Sequence, residues 1–286
     1  MGNLCTFSGL RRRLAPLIRP VFERCAPVRT IAVGMLKIKQ RGRIERCGLT
    51  FELPSGDFGV TLEAESTGEY EPVTTKLIES LLEKGMTFVD IGAHVGLFTI
   101  PAAKWVGKQG RVVAFEPHPE NFAMLQRNAK ANWIETELVN AAVSDAAGEV
   151  QLHASSFNSG DHQLFHSGTR KGVLVSCVTL DEFFQKGEQV DLIKMDVQGA
   201  EAAAFRGMER LLRDNEAIKI IWELSPKQLA DAGEDAAKLL DWISNLGFSF
   251  TMVDDVSGVI QPASAREVLD KCPADSYMNI LSQRDA

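Results

Sequence analysis

Asp90, Gly92, Gly96 and Glu116 stand out by type and spacing. Asp90 lies in an apolar run, 87–91, that stops at Gly92; a step of four leads to Gly96. A second apolar run, 111–115, then ends in Glu116. Glycines let backbone approach a ligand where a Cβ would collide. A carboxylate at a strand tip can accept hydrogen bonds from both hydroxyls of a ribose. A dinucleotide-binding turn, G-x-G-x-x-G, carries its central glycine where this chain has His94, so the pattern that seats a pyrophosphate is not met. Asp90 suits a cationic group instead, such as an amino-acid ammonium. A ribose and an ammonium without phosphate describe S-adenosylmethionine, which fits these residues better than a nicotinamide dinucleotide. A nicotinamide-dependent oxidoreductase and a non-catalytic cofactor-binding protein are the two alternatives.

A second group of residues has the chemistry for proton transfer. Asp196 ends an apolar run, Lys194 stands two before it on the same face of a strand, and Glu201 opens the following helix. Asp196 is the first candidate base, Glu201 the second and Lys194 the third. A carboxylate in a first helical turn is also favoured by the helix dipole, so Glu201 has a capping reading as well. Asn158 and His162 lie in a polar stretch, 155–171, that reads as an acceptor-binding loop. His162 and His166 are four apart, but their segment contains glycines and no helical pattern, which argues against a metal. Asp196 with Glu223 would offer Mg²⁺ two hard oxygens without a clear third ligand, so no metal is expected.

These residues need a scaffold that brings strand ends together. Strands are expected at 87–91, 111–115, 135–143, 190–195, 217–223, 248–253 and 277–282. Helices are expected at 70–84, 95–106, 118–131, 180–185, 200–213 and 226–246. Such alternation predicts an α/β fold, a doubly wound and mostly parallel seven-stranded sheet with helices on both faces. The last two strands have no clear helix between them and read as antiparallel. Ligands then bind beyond the carboxyl ends of the strands, where Asp90, Glu116, Asn140, Asp196 and Glu223 all fall. Residues 148–178 interrupt the rhythm as two short strands around the polar loop, a β-hairpin insertion. Residues 49–64 read as a further small hairpin, turned by Pro54-Ser55-Gly56-Asp57.

The chain has 286 residues and a net charge of −7. Between Arg11 and Arg46 eleven Lys/Arg face two Glu, a balance of +9, which leaves −16 for the rest. An acidic body does not favour nucleic acid as the main substrate. The basic arm, 11–46, suits a peripheral contact with an anionic membrane or an acidic partner, or a solvated extension. Met1-Gly2-Asn3-Leu4-Cys5-Thr6 fits a myristoylation pattern, and the Arg-rich, acid-poor start also has transit-peptide character. No run of 18 apolar residues appears, so no transmembrane helix is expected. Five scattered cysteines without a C-x-x-C pair point to a reducing compartment, hence the cytoplasm. The division expected is a basic extension, 1–48, and one domain, 49–286, with core 70–225 and insertion 148–178.

Five motifs in order carry a family resemblance over roughly 70–225. They are F-V-D-I-G-A-H-V-G (88–96), G-R-V-V-A-F-E-P-H-P (110–119), N-A-A-V-S-D (140–145), V-T-L-D-E-F (178–183) and D-L-I-K-M-D-V-Q-G-A-E (191–201). The chain resembles the FkbM-type S-adenosylmethionine-dependent methyltransferases. The resemblance implies a class I methyltransferase (Rossmann-like) fold and O-methylation of a hydroxyl on a carbohydrate or related small molecule. It implies that Asp90, Gly92 and Gly96, with His94 between them, frame the methionine part of the cofactor. It also implies that Glu116 holds the ribose and that the loop Asn140, Ala141 to Asp145 edges the adenine. Glu223 is taken with Asn158 and His162 as acceptor-binding. Family members often carry Glu where this chain has Gln198, so Gln198 is given no ionisable role.

Overall fold

Period-two alternation in the strands decides which side chains meet. The computed structural model describes residues 34–35, 39–57, 59–155, 158–164 and 171–284. A hairpin, β1 (Arg43–Arg46) and β2 (Leu49–Glu52), comes first, followed by α1 (Val60–Thr67) and α2 (Pro72–Leu81). Then come β3 (Thr87–Ile91), α3 (Thr99–Val106), β4 (Arg111–Phe115), α4 (Pro119–Ala131) and β5 (Glu137–Val139). A side sheet follows, β6 (Ala142–Val143), β7 (Gly148–Ala154) and β8 (Lys171–Val178), and then α5 (Leu180–Phe183). The chain continues through β9 (Leu192–Met195), α6 (Glu201–Arg206), α7 (Glu209–Asp214) and β10 (Lys219–Leu224). It ends with α8 (Pro226–Asp231), α9 (Ala236–Asn245), β11 (Phe248–Asp254), β12 (Val259–Ala263), α10 (Ala265–Lys271) and β13 (Met278–Arg284).

The main sheet runs β12-β11-β13-β10-β9-β3-β4-β5. Strands β10, β9, β3, β4 and β5 are parallel neighbours, and β13 is antiparallel to both β10 and β11. The seven expected strands are present with β13 reversed, which is the class I methyltransferase plan. β12 adds an eighth, antiparallel to β11. Along each strand the faces separate. Val89, Ile91, Ile193, Met195, Trp222 and Leu224 share one core cluster. Phe88, Leu192, Ile221 and Leu281 pack on the other face with Ile78 of α2 and Ala102 of α3. The second face carries the chemistry, because Asp90 follows the parity of Phe88, Lys194 and Asp196 that of Leu192, Glu223 that of Ile221, and Asn279 that of Leu281.

Several boundaries differ from the sequence reading. The hairpin expected within 49–64 is formed by 43–52, across the boundary placed at 48. Cys47 (φ +53°) and Gly48 (φ +66°) both have the left-handed backbone of a two-residue turn. The Pro54–Asp57 turn leads instead into α1, where the Asp57 carboxylate accepts from Thr61 N–H at 2.7 Å. Arg46, counted with the basic arm, is buried. It donates to Leu97 O (2.6 Å), Tyr70 O (3.0 Å) and the Thr75 hydroxyl. The arm before residue 34 lies outside the described residues.

Strand 135–143 divides into β5 and β6, the latter leaving the main sheet to pair with β8. Helix 200–213 breaks at Gly207, where a Cβ would stand 1.9 Å from Ser144 O. Helix 226–246 breaks after Asp231, and Asp235 caps the second part through Ala237 and Lys238 N–H. A helix, α10, does stand between the last long strands, opened by a Ser264/Glu267 capping box.

α4 ends with Trp133 in the left-handed region (φ +56°), while Ile134 N–H reaches back to Ala129 O at 3.0 Å. Glycine normally fills this position, and a left-handed residue with a Cβ costs about 1–2 kcal/mol. The Trp133 ring is 93% exposed, so little packing repays that strain. Trp133→Gly is expected to raise stability by about 1 kcal/mol in urea denaturation.

Candidate functional site

The carboxyl ends of β3, β4 and β9 open into a cleft with about 800 Å³ of empty space, mouth included. The glycine turn after β3 forms its floor. Gly92 has φ +82°, and a Cβ there would lie 2.0 Å from Asp196 O, so only glycine lets the turn after β3 close on the end of β9. Gly96 has a different task from the one expected. A Cβ on it would meet Leu125 and Ile100 side chains at 2.6 and 2.9 Å, so it seats a helix rather than a ligand.

Glu116 is buried at the tip of β4 and lines the cleft. Its two oxygens accept from His94 N–H (2.8 Å) and His118 N–H (2.9 Å), tying both neighbouring turns to one carboxylate. Burial raises its pKa to about 7 against the pull of these amides. Asp90, 1% exposed, is not among the lining side chains. It sits behind the turn and accepts from the Thr99 hydroxyl at 2.5 Å. Burial lifts it to about 6, opposed by Thr99 and by the Lys194 charge.

The expected adenine loop contributes less directly than the motif implies. Ala141 lines the cleft with Ala142 and Val143. The Asn140 amide turns back to Glu116 O (2.8 Å) and Pro117 O (3.1 Å), holding the strand end. Asp145 is exposed and pairs with Arg206 at 3.0 Å, away from the cleft.

The insertion closes the opposite wall through Ser159, Gly160, His162 and Leu164. The His162 ring lies 4.3 Å from the His118 ring, and its Nδ1 accepts from Ser155 N–H at 3.1 Å. Asn158 does not line the cleft; it packs on Gly59 and accepts from Gly160 N–H at 3.2 Å. His94 Nε2 stands 2.8 Å from Ser159 Oγ, whose hydroxyl donates to Asp57 at 3.1 Å. That direction makes Nε2 the protonated nitrogen. Burial depresses His94 to about 4, so it is a neutral wall of the turn.

The third wall is ionic. Lys194, 2% exposed, lies 3.5 Å from Asp196 Oδ2 and 5.3 Å from the Phe98 ring centre. Burial alone would discharge it, but Asp196, Glu71, Asp90 and Glu223 together overcome this and raise its pKa. Lys194 is therefore held as an ammonium and is not a resting base, contrary to its candidacy. Glu201 also leaves the list: it is buried beneath the turn, and its oxygens accept from Gly199 N–H at 3.2 and 3.0 Å, the capping alternative. Asp196 alone of the three candidate bases both lines the cleft and has a carboxylate to offer.

Glu223 stands beside Asp196 on β10, and burial drives its pKa well up. Glu71, which no motif flagged, has an unusual left-handed backbone (φ +40°) and accepts from Asn279 Nδ2 at 3.1 Å. Burial lifts it to about 8. Tyr70, Phe98 and Gln198 also line this end. Among the described residues no group of three His, Cys, Asp or Glu is arranged to hold a metal ion.

A family model described as the methyltransferase FkbM domain matches residues 90–250, more than half of the chain. The chain belongs to the FkbM methyltransferase family. A tRNA (guanine(37)-N(1))-methyltransferase from Danio rerio is 42% identical over 64 residues, which span 22% of this methyltransferase and 13% of that protein. Two solved structures resemble it at low identity. A TehB-like methyltransferase from Corynebacterium glutamicum has a TM-score of 0.44 and 11% identity, covering 78% of this chain and 94% of its own. A precorrin-6y C5,15-methyltransferase from Geobacter metallireducens has 0.42 and 12%, covering 75% and 87%. The cleft suits an adenosyl cofactor: a Cβ-free turn at Gly92, a buried carboxylate at Glu116 and an apolar edge at Ala141–Val143 face one space.

The buried acids give the FkbM protein a testable pH response. Glu116, Glu201 and Glu71 sit at about 7, 7 and 8, above the ordinary 4.5. The native chain keeps protons there that the unfolded chain has lost, so stability falls as pH rises. His94, lowered from 6.5 to about 4, acts oppositely, but only below 6.5. The Tm of the protein alone is expected to fall between pH 6.5 and 8, as the free energy of unfolding drops by roughly 1.4 kcal/mol per pH unit for each net proton. A Tm that rises over that window would contradict the assignment.

Proposed function

We propose that the protein transfers a methyl group from S-adenosylmethionine to a hydroxyl of a neutral, carbohydrate-like small molecule, with Asp196 receiving the hydroxyl proton. Glu116 would hold the ribose, Ala141 and its neighbours would edge the adenine, and Gly92 would leave room for the methionine part. Asp90 acts from behind the turn through its charge. S-adenosylmethionine supplies a methyl group on a sulfonium, an electrophile that needs no further activation. The chain's part is alignment and proton removal, the latter worth about 10²–10⁴-fold for a positioned base.

The observation that carries this reading is the Asp196 carboxylate in the cleft wall, with a charged Lys194 behind it and Glu71 and Glu223 beside it. Such a surface favours a ligand rich in hydrogen-bond donors. Outside the basic arm the chain carries a balance of −16, the same sign as a phosphodiester chain, which argues against RNA as acceptor despite the tRNA-modifying relative. His162, in the insertion, lines the same cleft and offers a polar side chain to the acceptor. The cytoplasm is the compartment that five cysteines without a C-x-x-C pair support, with the basic arm as a peripheral membrane contact. Among the described residues no helix is long and apolar enough to cross a membrane.

Isothermal titration with S-adenosylmethionine and its demethylated product tests the first half, and binding of both is expected. Incubating cell extract with the enzyme and trideuteromethyl cofactor tests the second, with label expected in neutral hydroxylated metabolites. Label confined to RNA would overturn the acceptor class, and absence of cofactor binding by folded protein would overturn the function.

A further inference from the structure

Gln198 follows Asp196 by two residues in a left-handed turn (φ +52°) and lines the cleft. Its Nε2 lies 2.6 Å from Asp196 Oδ1 and 3.2 Å from Glu223 Oε1. An amide nitrogen has two hydrogens, one for each carboxylate. Its Oε1 accepts from Gln228 Nε2 at 2.7 Å. Gln228 is buried on α8, and its own Oε1 has no partner among the described residues. Because Gln228 donates to one end of the Gln198 amide, the NH₂ end must face the acids.

We infer that Gln198, its amide oriented by Gln228, is the positioning residue for Asp196: it clamps Asp196 Oδ1 and Glu223 side by side while Lys194 faces Oδ2. This rests on the proposed role of Asp196. Asp196 and Glu223 occupy adjacent strand ends on one face of the sheet, where two bare carboxylates would repel. One neutral amide donating to both removes that conflict without adding charge. It also fixes the plane of Asp196, so the lone pairs left for an acceptor hydroxyl point one way. The remaining ionisable groups around Asp196 are Lys194 on β9, Glu223 on β10, Asp90 on β3, His94 in the glycine turn, Glu201 on α6 and Glu71 ahead of α2. Among the described residues, Gln198 is the one neutral side chain that donates to Asp196.

The test compares Gln198→Glu, which keeps the shape and exchanges a donor for an acid, with Gln228→Leu, which removes only the orienting bond. Carboxyl carbons of aspartate are labelled with ¹³C, and the Asp196 signal is assigned by its loss in Asp196→Asn. In wild type and both variants it is followed against pH by NMR. Folding is checked by S-adenosylmethionine titration, expected to stay within about threefold. The Asp196 midpoint is expected to rise by at least one pH unit in Gln198→Glu and by less in Gln228→Leu. With the acceptor found by deuterium labelling, the acid limb of the kcat–pH profile should move up together with that midpoint in Gln198→Glu, with little change in the cofactor KM. An unchanged midpoint in folded Gln198→Glu would overturn the clamp. A shifted midpoint in a protein whose wild type binds no S-adenosylmethionine would keep the clamp and reject the proposed function, so the two failures are distinct.

Discussion

Glu116→Ala should weaken S-adenosylmethionine binding by roughly 10²–10³-fold. Two effects add. The carboxylate has lone pairs to offer two ribose hydroxyls, and hydrogen bonds to a charged group are worth about 1.5–3 kcal/mol each. A loss of about 3–4 kcal/mol is that range in affinity. The same carboxylate also fixes the His94 and His118 amides at 2.8 and 2.9 Å, so its removal loosens both turns that shape the cleft. Glu116→Gln separates these effects. It keeps size and one acceptor oxygen, but turns an NH₂ toward a backbone N–H that needs an acceptor. Because Glu116 sits at about 7 in the protein alone, wild-type affinity should climb from pH 6 to 8 as it ionises. That slope should flatten in Glu116→Gln. Isothermal titration across pH reads both outcomes, and wild-type affinity in Glu116→Ala would remove Glu116 from the cofactor site.

The parts of this site legible in sequence are those that follow from strand parity and turn chemistry. Asp90, Lys194, Asp196 and Glu223 could be placed on one sheet edge because side chains alternate along a strand and the strands are parallel. Gly92 was legible because a glycine after an apolar run marks a close approach, although the partner it approaches, Asp196 O, comes from a segment a hundred residues on. What period and motif do not encode is which way a side chain turns at a loop. Asn140 and Asp145 belong to one motif, yet one folds back on Glu116 O and the other reaches out to Arg206. Glu201 and Asp196 are acids five apart, and the tight turn at Gly199 buries one and presents the other. Glu71 and Asn279 were illegible because they are 208 positions apart and meet only when α2 lies across β13. The two-amide chain of Gln228 and Gln198 is hidden for the same reason, being assembled from a helix and a turn with no shared local pattern.

Lys194→Met should destabilise the fold by about 3–5 kcal/mol at pH 8, because removing one member of a buried ionic group leaves its partners uncompensated. Methionine approximates the length and shape of the lysine stem, so packing under the Phe98 ring is largely kept and the charge is what is lost. The carboxylates facing the vacated position are Asp196, Glu71, Asp90 and Glu223, and they can respond only by binding protons. That gives the effect its sign. The native pKa values of Glu71, Asp90 and Glu223, already above the unfolded ones, rise further, the native state holds still more protons than the unfolded chain, and stability drops more steeply as pH rises. Near pH 5 most of these acids are already protonated, and the variant should approach wild type. Urea denaturation at pH 5, 6.5 and 8 measures this. The double variant Lys194→Met/Glu223→Gln carries one fewer acid in the same volume, and should recover part of the loss at pH 8 while changing little at pH 5. A penalty that is equal at all three pH values, and untouched by Glu223→Gln, would mean that Lys194 supports this wall by packing alone.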